Sequence, residues 1–214
     1  LLRHKGRRRV QRKEGKAKKY TAGKSVHTRP ASIERRSEFG HFEVDTVESG
    51  RNGTGCVFTI AERKPRMLFA CRAESCTAKN FYNTLKRLIK ILPPGTIKSL
   101  TGDRGKEFAW YQKIENELRI PFYFADPHSP WQKGSNENTN GLLRENFPKK
   151  TNFSTVTQRD LYWKGVYRIN NRPRKVLGWK TAQECFAEEL RNSAWDLALG
   201  VKIHLNFMET PPFE

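Results

Sequence analysis

Cysteine is scarce and unpatterned in this sequence. The four present, Cys56, Cys71, Cys76 and Cys185, form no CxxC pair and have no histidine at metal-ligand spacing. Neither a disulfide framework nor a zinc site is indicated, and a reducing cytoplasm is the expected setting. Long apolar runs are also missing: none approaches the roughly 20 residues that cross a bilayer, so no membrane partner is expected. There is no initiator methionine and no internal repeat; the sequence opens at Leu1 and reads as a soluble fragment or processed chain. Acid is in short supply, with 22 Asp and Glu against 41 Lys and Arg, a formal charge of +19 over 214 residues.

That positive charge is unevenly spread. Residues 1–36 hold 14 basic and 2 acidic side chains, a balance of +12, which leaves +7 on residues 37–214. Runs such as RHKGRRR (3–9), with Arg7, Arg8 and Arg9, and KAKKY (16–20) suit phosphate neutralisation through counterion release, which gives strong but sequence-blind affinity. A solvated tail is the bland alternative. The positive balance of the remainder favours a nucleic-acid partner. Three spans follow: a flexible, DNA-contacting basic arm over 1–36, a core of one domain's size over 37–190, and a tail over 191–214 to which no role is assigned.

From Phe42 the texture changes. FEVDTVES (42–49), GCVFTIAER (55–63) and RMLFACRAES (66–75) are apolar, rich in β-branched or aromatic residues and separated by short breaks, which predicts three strands joined by hairpins. Thr77 is placed to cap a helix in which Phe81, Leu85, Leu88, Ile89 and Leu92 recur at three- and four-residue spacing. A strand at 97–103, a helix over 106–118 and a strand at 121–126 follow. Helices are then expected from Ser135 to Pro148, over 157–170 and over 181–190. The order predicts an α/β fold, a mixed five-stranded sheet with helices on its faces.

Three acids stand on the borders where such sheets present ligands. Asp45 interrupts the first strand, where a charge is costly to bury unless paired. Asp103 follows the fourth strand directly. Glu137 opens the helix of GSNENTNGLLR (134–144), where Ser135 or Asn136 could cap and an acid suits the positive helix end. If the first and fourth predicted strands are neighbours, the aspartates meet, and Glu137 could complete a cluster that holds hard divalent ions. Two ions about 4 Å apart would activate an attacking oxygen and stabilise the leaving oxygen of a phosphodiester. Taken singly, each acid also has an ordinary reading, as an ion-paired strand residue, a turn residue or a helix start.

The motifs themselves resemble a known family. GHFEVDTV (40–47), TGDRGKEF (101–108), PHSPWQKGSNENTNGLLR (127–144) and INNRPRKVLGWKTAQECF (169–186) look like the bacterial transposases of the insertion sequence thirty family, over about residues 1–188. The resemblance implies a ribonuclease H-like, retroviral-integrase-type core with an Asp, Asp, Glu triad falling on Asp45, Asp103 and Glu137. It implies two Mg²⁺ ions, with Mn²⁺ able to substitute, cleavage at the ends of an insertion sequence and attack of the freed 3′-hydroxyl on target DNA. Partners would be the element's terminal repeats, target DNA and further copies of the chain. Phe42, Val44 and Gly102 depart from the family's Trp, Gly and Trp, and the family's upstream helix-turn-helix region does not fall within this sequence. A binding-only protein and a nuclease that hydrolyses without joining are the alternatives.

Positive residues beside the acids, Arg104, Lys133 and Arg144, are candidate phosphate contacts, as are Arg172, Arg174 and Lys175 of NNRPRK (170–175). Lys106 and Trp131 have equally good structural readings, and His128, a loop histidine between prolines, reads first as merely exposed. Glu43, Glu62, Glu107 and Asp126 border the sheet and are not expected to be metal ligands.

Overall fold

A computed structural model describes residues 23–51, 53–127, 129–193 and 213. In chain order the elements are β1 (Lys24–Ser25), α1 (Ala31–Glu34), β2 (His41–Glu48), β3 (Cys56–Glu62), β4 (Leu68–Ala73), α2 (Ala78–Ile91), β5 (Ser99–Gly102), α3 (Tyr111–Lys113), β6 (Phe122–Phe124), α4 (Gly134–Asn146), α5 (Gln158–Leu161), α6 (Tyr167–Asn170) and α7 (Ala182–Asn192). One sheet runs in the order β1-β6-β5-β2-β3-β4. β2, β3 and β4 pair antiparallel, as the short breaks between them predict, while β2, β5, β6 and β1 are parallel.

The sheet therefore has six strands where the sequence predicts five. The extra strand is only two residues long and pairs Lys24 and Ser25 with Tyr123 and Phe124, too short for any periodicity to show. It also moves the boundary of the folded part. Val26 and Ile33 are buried, and the buried Arg29 guanidinium bonds Thr101 Oγ1 and pairs with Glu34. The segment from Gly23 to Arg36 packs on the sheet, although its charge reads as an arm. Arg7, Arg8 and Arg9 lie outside the described residues, as does His128.

Alternation along the strands divides the core in two. Phe42, Val44, Phe58, Ile60, Phe69 and Cys71 point to one face and meet Phe81, Leu85 and Leu88 of α2 and Phe186 and Leu190 of α7. Phe213, from the tail given no role, is buried in the same cluster, with the Arg87 guanidinium over its ring. Val47, Val57, Leu68 and Ala70 point the other way, onto Leu143 of α4, Phe153, Leu161 and Val166. Thr77 caps α2 as its position predicts, its Oγ1 accepting from Asn80 N, and in the structure Thr181 with Glu184 closes a reciprocal capping box at the start of α7.

Two predicted helices are interrupted. The 106–118 segment is a 3₁₀ turn, then α3, then a π turn over Ile114–Leu118 that Arg119 ends in the left-handed region. In the 157–170 segment a π turn, Tyr162–Val166, joins α5 to α6. Gly165 lies in that turn, where a Cβ would stand 2.8 Å from Leu143 Cδ1; the glycine lets the backbone close on α4.

The departures from the family pattern beside the aspartates leave no gap. Phe42 and Val44 are fully buried, and the space a side chain at 102 would need is filled, since a Cβ there would meet Phe122 Cζ at 2.9 Å and Val44 Cγ2 at 3.0 Å. Gly102→Ala is therefore expected to destabilise the fold by about 1–3 kcal/mol, the usual cost of overpacking, read as a lower urea midpoint at unchanged slope. An unchanged midpoint would mean that the Phe122 ring yields freely.

Candidate active site

Pairing of β2 with β5 sets the site. The parallel register matches His41 with Ser99, Phe42 with Leu100 and Glu43 with Thr101, so Asp45 and Asp103 follow two residues on from the same pairing, and the Lys133 ammonium reaches both. The neighbouring strands anticipated from the sequence are thus in place. Glu43, Asp45 and Val47 share the face of β2 that lies under α4, where Asn136 N donates to Glu43 Oε2 (2.9 Å), Asn140 Nδ2 to Asp45 Oδ2 (2.9 Å), and Leu143 packs with Val47. Asp45, Asp103, Asp126, Lys133, Glu137 and Asn140 line one open cleft of about 400 Å³.

Within that cleft the three sequence-selected acids stand differently. Asp45 Oδ1 accepts from Thr46 N, and Asp103 Oδ1 accepts from Gly105 N. The Lys133 ammonium joins the two carboxylates, 2.9 Å from Asp103 Oδ2 and 3.4 Å from Asp45 Oδ1. Glu137 is exposed across the cleft. Among the described residues no three acids, histidines or cysteines stand close enough to form a ready metal-ligand group. The acids share a cavity, and the cation held between the first two is a lysine.

Electrostatics follow from this arrangement. Burial pushes the Asp45 carboxyl above its ordinary value, with Lys133 pulling the other way. Burial alone would depress Lys133, yet Asp45 and Asp103 together hold its ammonium above the usual lysine value. A buried ammonium between two carboxylates marks a locus that favours positive charge, and its donors toward the cleft are hard carboxylate oxygens. That donor set fits Mg²⁺ or Mn²⁺, which prefer a few carboxylates plus water and phosphate.

Other selected residues fall into three groups. Lys133 lines the cleft, whereas Arg104, next to Asp103 in the chain, lines a separate hollow with Tyr111 and Phe124, its guanidinium 5.4 Å from the Phe124 ring centre. Arg144 does not open onto it: its guanidinium donates to Glu48 O (2.7 Å), Pro148 O (3.2 Å) and Phe147 O (3.4 Å), tying α4 to the end of β2. Arg172 and Lys175 are exposed in the loop after α6, with Trp179 beyond them, while Arg174 donates to Ile169 O. Trp131 is 71% exposed beside the cleft, which leaves its face open to a base.

Two features escaped the sequence reading. The cap of α4 comes from neither Ser135, whose hydroxyl oxygen accepts from Arg36 Nη1, nor Asn136, whose side-chain amide is buried without a partner. It comes from Glu43, a fully buried carboxylate also bonded by Arg63 Nη1 at 2.5 Å. The only signal for it in the sequence was its place two residues before Asp45, hence on the same strand face. Asp126, set aside as a ligand, lines the cleft and is held below the usual carboxylate range by Gln132 and then His27.

Residues 35–130 match the family model described as an integrase core domain. The chain is 38% identical over 183 residues, 86% of its length and 47% of the relative's, to the transposase InsI for insertion sequence element IS30A of Escherichia coli; it spans about half that relative. Among solved structures it is similar to the catalytic core domain of BIV integrase, at TM-score 0.55 and 17% identity over 71% of this chain and 95% of the other. The HTLV-2 integrase catalytic core domain in complex with magnesium, in a trimeric form, gives TM-score 0.51 and 15% identity over 67% and 93%.

Proposed function

The chain belongs with the insertion sequence thirty transposases and carries their integrase core domain, and from that premise we propose that its cleft performs metal-dependent cleavage at the ends of an insertion sequence and joins the freed 3′-hydroxyl to target DNA. The observation that carries the reading is the convergence of Asp45, Asp103 and Glu137, far apart in sequence, on one cleft that already holds a buried cation. The solved HTLV-2 relative is described with magnesium, which supports the choice of ion.

Asp45, Asp103 and Glu137 would hold the ions, Mg²⁺ or Mn²⁺. When bound, they supply Lewis acidity to an attacking oxygen and to a leaving oxygen in line. The chain's own residues do the rest. Asn140 fixes the Asp45 carboxylate, and the Gly105 amide fixes that of Asp103. Lys133 neutralises both aspartates and, once they are otherwise satisfied, is free to meet a phosphate oxygen. Arg104, Arg172 and Lys175 offer further phosphate contacts, and Trp131 a stacking surface. DNA is the partner this chemistry requires, and a homo-oligomer on DNA is the working form this reading implies. No described helix is long and apolar enough to cross a membrane.

A duplex ending in an exposed 3′-hydroxyl, mixed with purified protein and plasmid, tests the proposal. Joined product is expected with Mg²⁺ or Mn²⁺ and none after chelation. Release of short hydrolysis products without joining would replace the transposase reading by a nuclease one.

A further inference from the structure

Helix α4 has an unusual first half. From Gly134 to Gly141 the sequence GSNENTNG contains no apolar side chain, and the helix's buried apolar anchor, Leu143, comes only in its last turns. Burial of apolar surface, which holds most protein helices in place, cannot hold the part that carries Glu137. The residue before the helix, Lys133, makes no capping hydrogen bond, and the Asn136 side-chain amide has no partner. What holds this half is a set of polar ties to the sheet and to the turn after α1: Arg36 to Ser135 Oγ at 2.7 Å, Asn136 N to Glu43 at 2.9 Å, and Asn140 to Asp45 at 2.9 Å.

The middle tie is the one deepest in the molecule. Glu43 and Asn136 are both fully buried. Glu43 Oε2 takes one of the amides that a helix start leaves without an internal acceptor, and its charge suits the positive end of the helix. Its other oxygen is held by Arg63 Nη1. Arg63 is in turn fixed by Nε donating to Ile33 O at 3.2 Å, and Arg36 Nη1 donates to Arg63 O at 3.0 Å. Glu43 is therefore an immobile acceptor, two residues from Asp45 on one strand face and bonded to the residue before Glu137.

We propose that Glu43 is a positioning residue for the reaction: β2 presents Asp45 directly and, through the Glu43 carboxylate on the Asn136 amide, sets where Glu137 enters the cleft. One strand thus fixes the spacing of the first and third acids. The inference rests on the reading of Glu137 as a metal ligand. It is distinct from a stabilising role, because a buried ion pair can be exchanged for apolar residues of similar size with little loss of stability, whereas the amide then loses its acceptor.

That difference supplies the test. Glu43→Leu/Arg63→Met removes pair and acceptor together, and Glu43→Gln/Arg63→Met restores an uncharged acceptor. Each is compared with the whole chain by denaturation, by amide hydrogen exchange and by Mn²⁺ titration without DNA. In the Leu/Met variant the amides of Asn136 and Glu137 are expected to exchange at least tenfold faster, later turns of α4 to be unchanged, and Mn²⁺ affinity to fall roughly 10–100-fold, the usual range for residues that orient metal ligands. The Gln/Met variant is expected to recover most of both.

Wild-type exchange and Mn²⁺ affinity in a folded Leu/Met variant, or no recovery with Gln/Met, would overturn the proposal. If the Leu/Met variant does not fold, Glu43→Gln alone decides: faster exchange confined to the first turn with weaker Mn²⁺ binding supports the proposal, and no change overturns it. Glu137→Ala is the control. If it binds Mn²⁺ as tightly as wild type, the site reading fails; if it binds weakly while the Glu43 variants bind normally, only the positioning inference fails.

Discussion

Glu137→Gln is expected to lower strand joining by on the order of a thousandfold or more while leaving the protein folded and able to bind DNA. The size follows from what a metal ligand contributes, several kcal/mol of transition-state stabilisation, with each 1.36 kcal/mol worth a factor of ten in rate. The absence of a folding defect follows from position. Glu137 is exposed on α4 and borders the open cleft, so an isosteric change should move stability by no more than about 0.5 kcal/mol. If, as proposed, basic residues elsewhere supply the phosphate affinity, binding should persist with the usual steep salt dependence. Joining by the purified variant at close to wild-type rate would remove Glu137 from the chemistry.

Arg63→Ala is expected to have the largest effect on folding, a loss of about 3–5 kcal/mol, because it strands the Glu43 carboxylate in the interior without its main partner. Against the 5–15 kcal/mol that typically holds a domain together, this is a large share. Arg63 is 3% exposed and reaches Glu43, Ile33 O and, at 3.5 Å, Gln132 O. Arg36 Nη2, 4.0 Å from Glu43, compensates only weakly at that distance. Arg63→Lys keeps the charge but loses the planar fork that serves several acceptors at once, so it should fall between wild type and Ala. Guanidinium denaturation measures both. A loss below about 1 kcal/mol for Ala would show that water or Arg36 replaces the guanidinium, and that the Glu43 network is looser than its geometry suggests.

Much of this architecture was legible in the sequence because local signals and global fold agree. The three-strand meander announced itself through alternation and short breaks, and α2 through Thr77 and the spacing of Phe81, Leu85 and Leu88. The placement of Asp45 near Asp103 needed only the guess that β2 and β5 are neighbours. What stayed hidden depends on contacts between distant segments. β1 is two residues long and is defined by pairing across about a hundred residues. The folded state of Val26 to Arg36 was masked by charge that turns out to be internally bonded. Arg144 was expected to meet phosphate as a positive residue beside the acids, but its guanidinium reaches back to three carbonyls. Glu43 was missed because nothing local distinguishes a strand glutamate that caps a helix beginning 91 positions later from one that faces solvent.

The lysine between the aspartates sharpens the site rather than weakening it. Carboxylates as close as Asp45 and Asp103 repel each other when both are ionised, and Lys133 offsets that repulsion in the folded chain without DNA. An ammonium and a divalent ion would then compete for the same oxygens. Lys133→Gln is accordingly expected to lower the melting temperature without divalent ions and to enlarge the rise that Mn²⁺ produces, since ligand binding to the folded state alone stabilises it by mass action. A thermal melt series with and without Mn²⁺ reads both changes; a smaller Mn²⁺ response than wild type would place the lysine among the groups that assist the ion.

The central claim is that Asp45, Asp103 and Glu137 form one divalent-metal site, and crystals soaked in Mn²⁺ and read by anomalous diffraction test it most directly. Anomalous density is expected in the cleft within about 2.0–2.4 Å of oxygens from all three side chains, with the Lys133 ammonium moved off the aspartates. Density on other residues, or none in the cleft at Mn²⁺ concentrations that support joining, would contradict it.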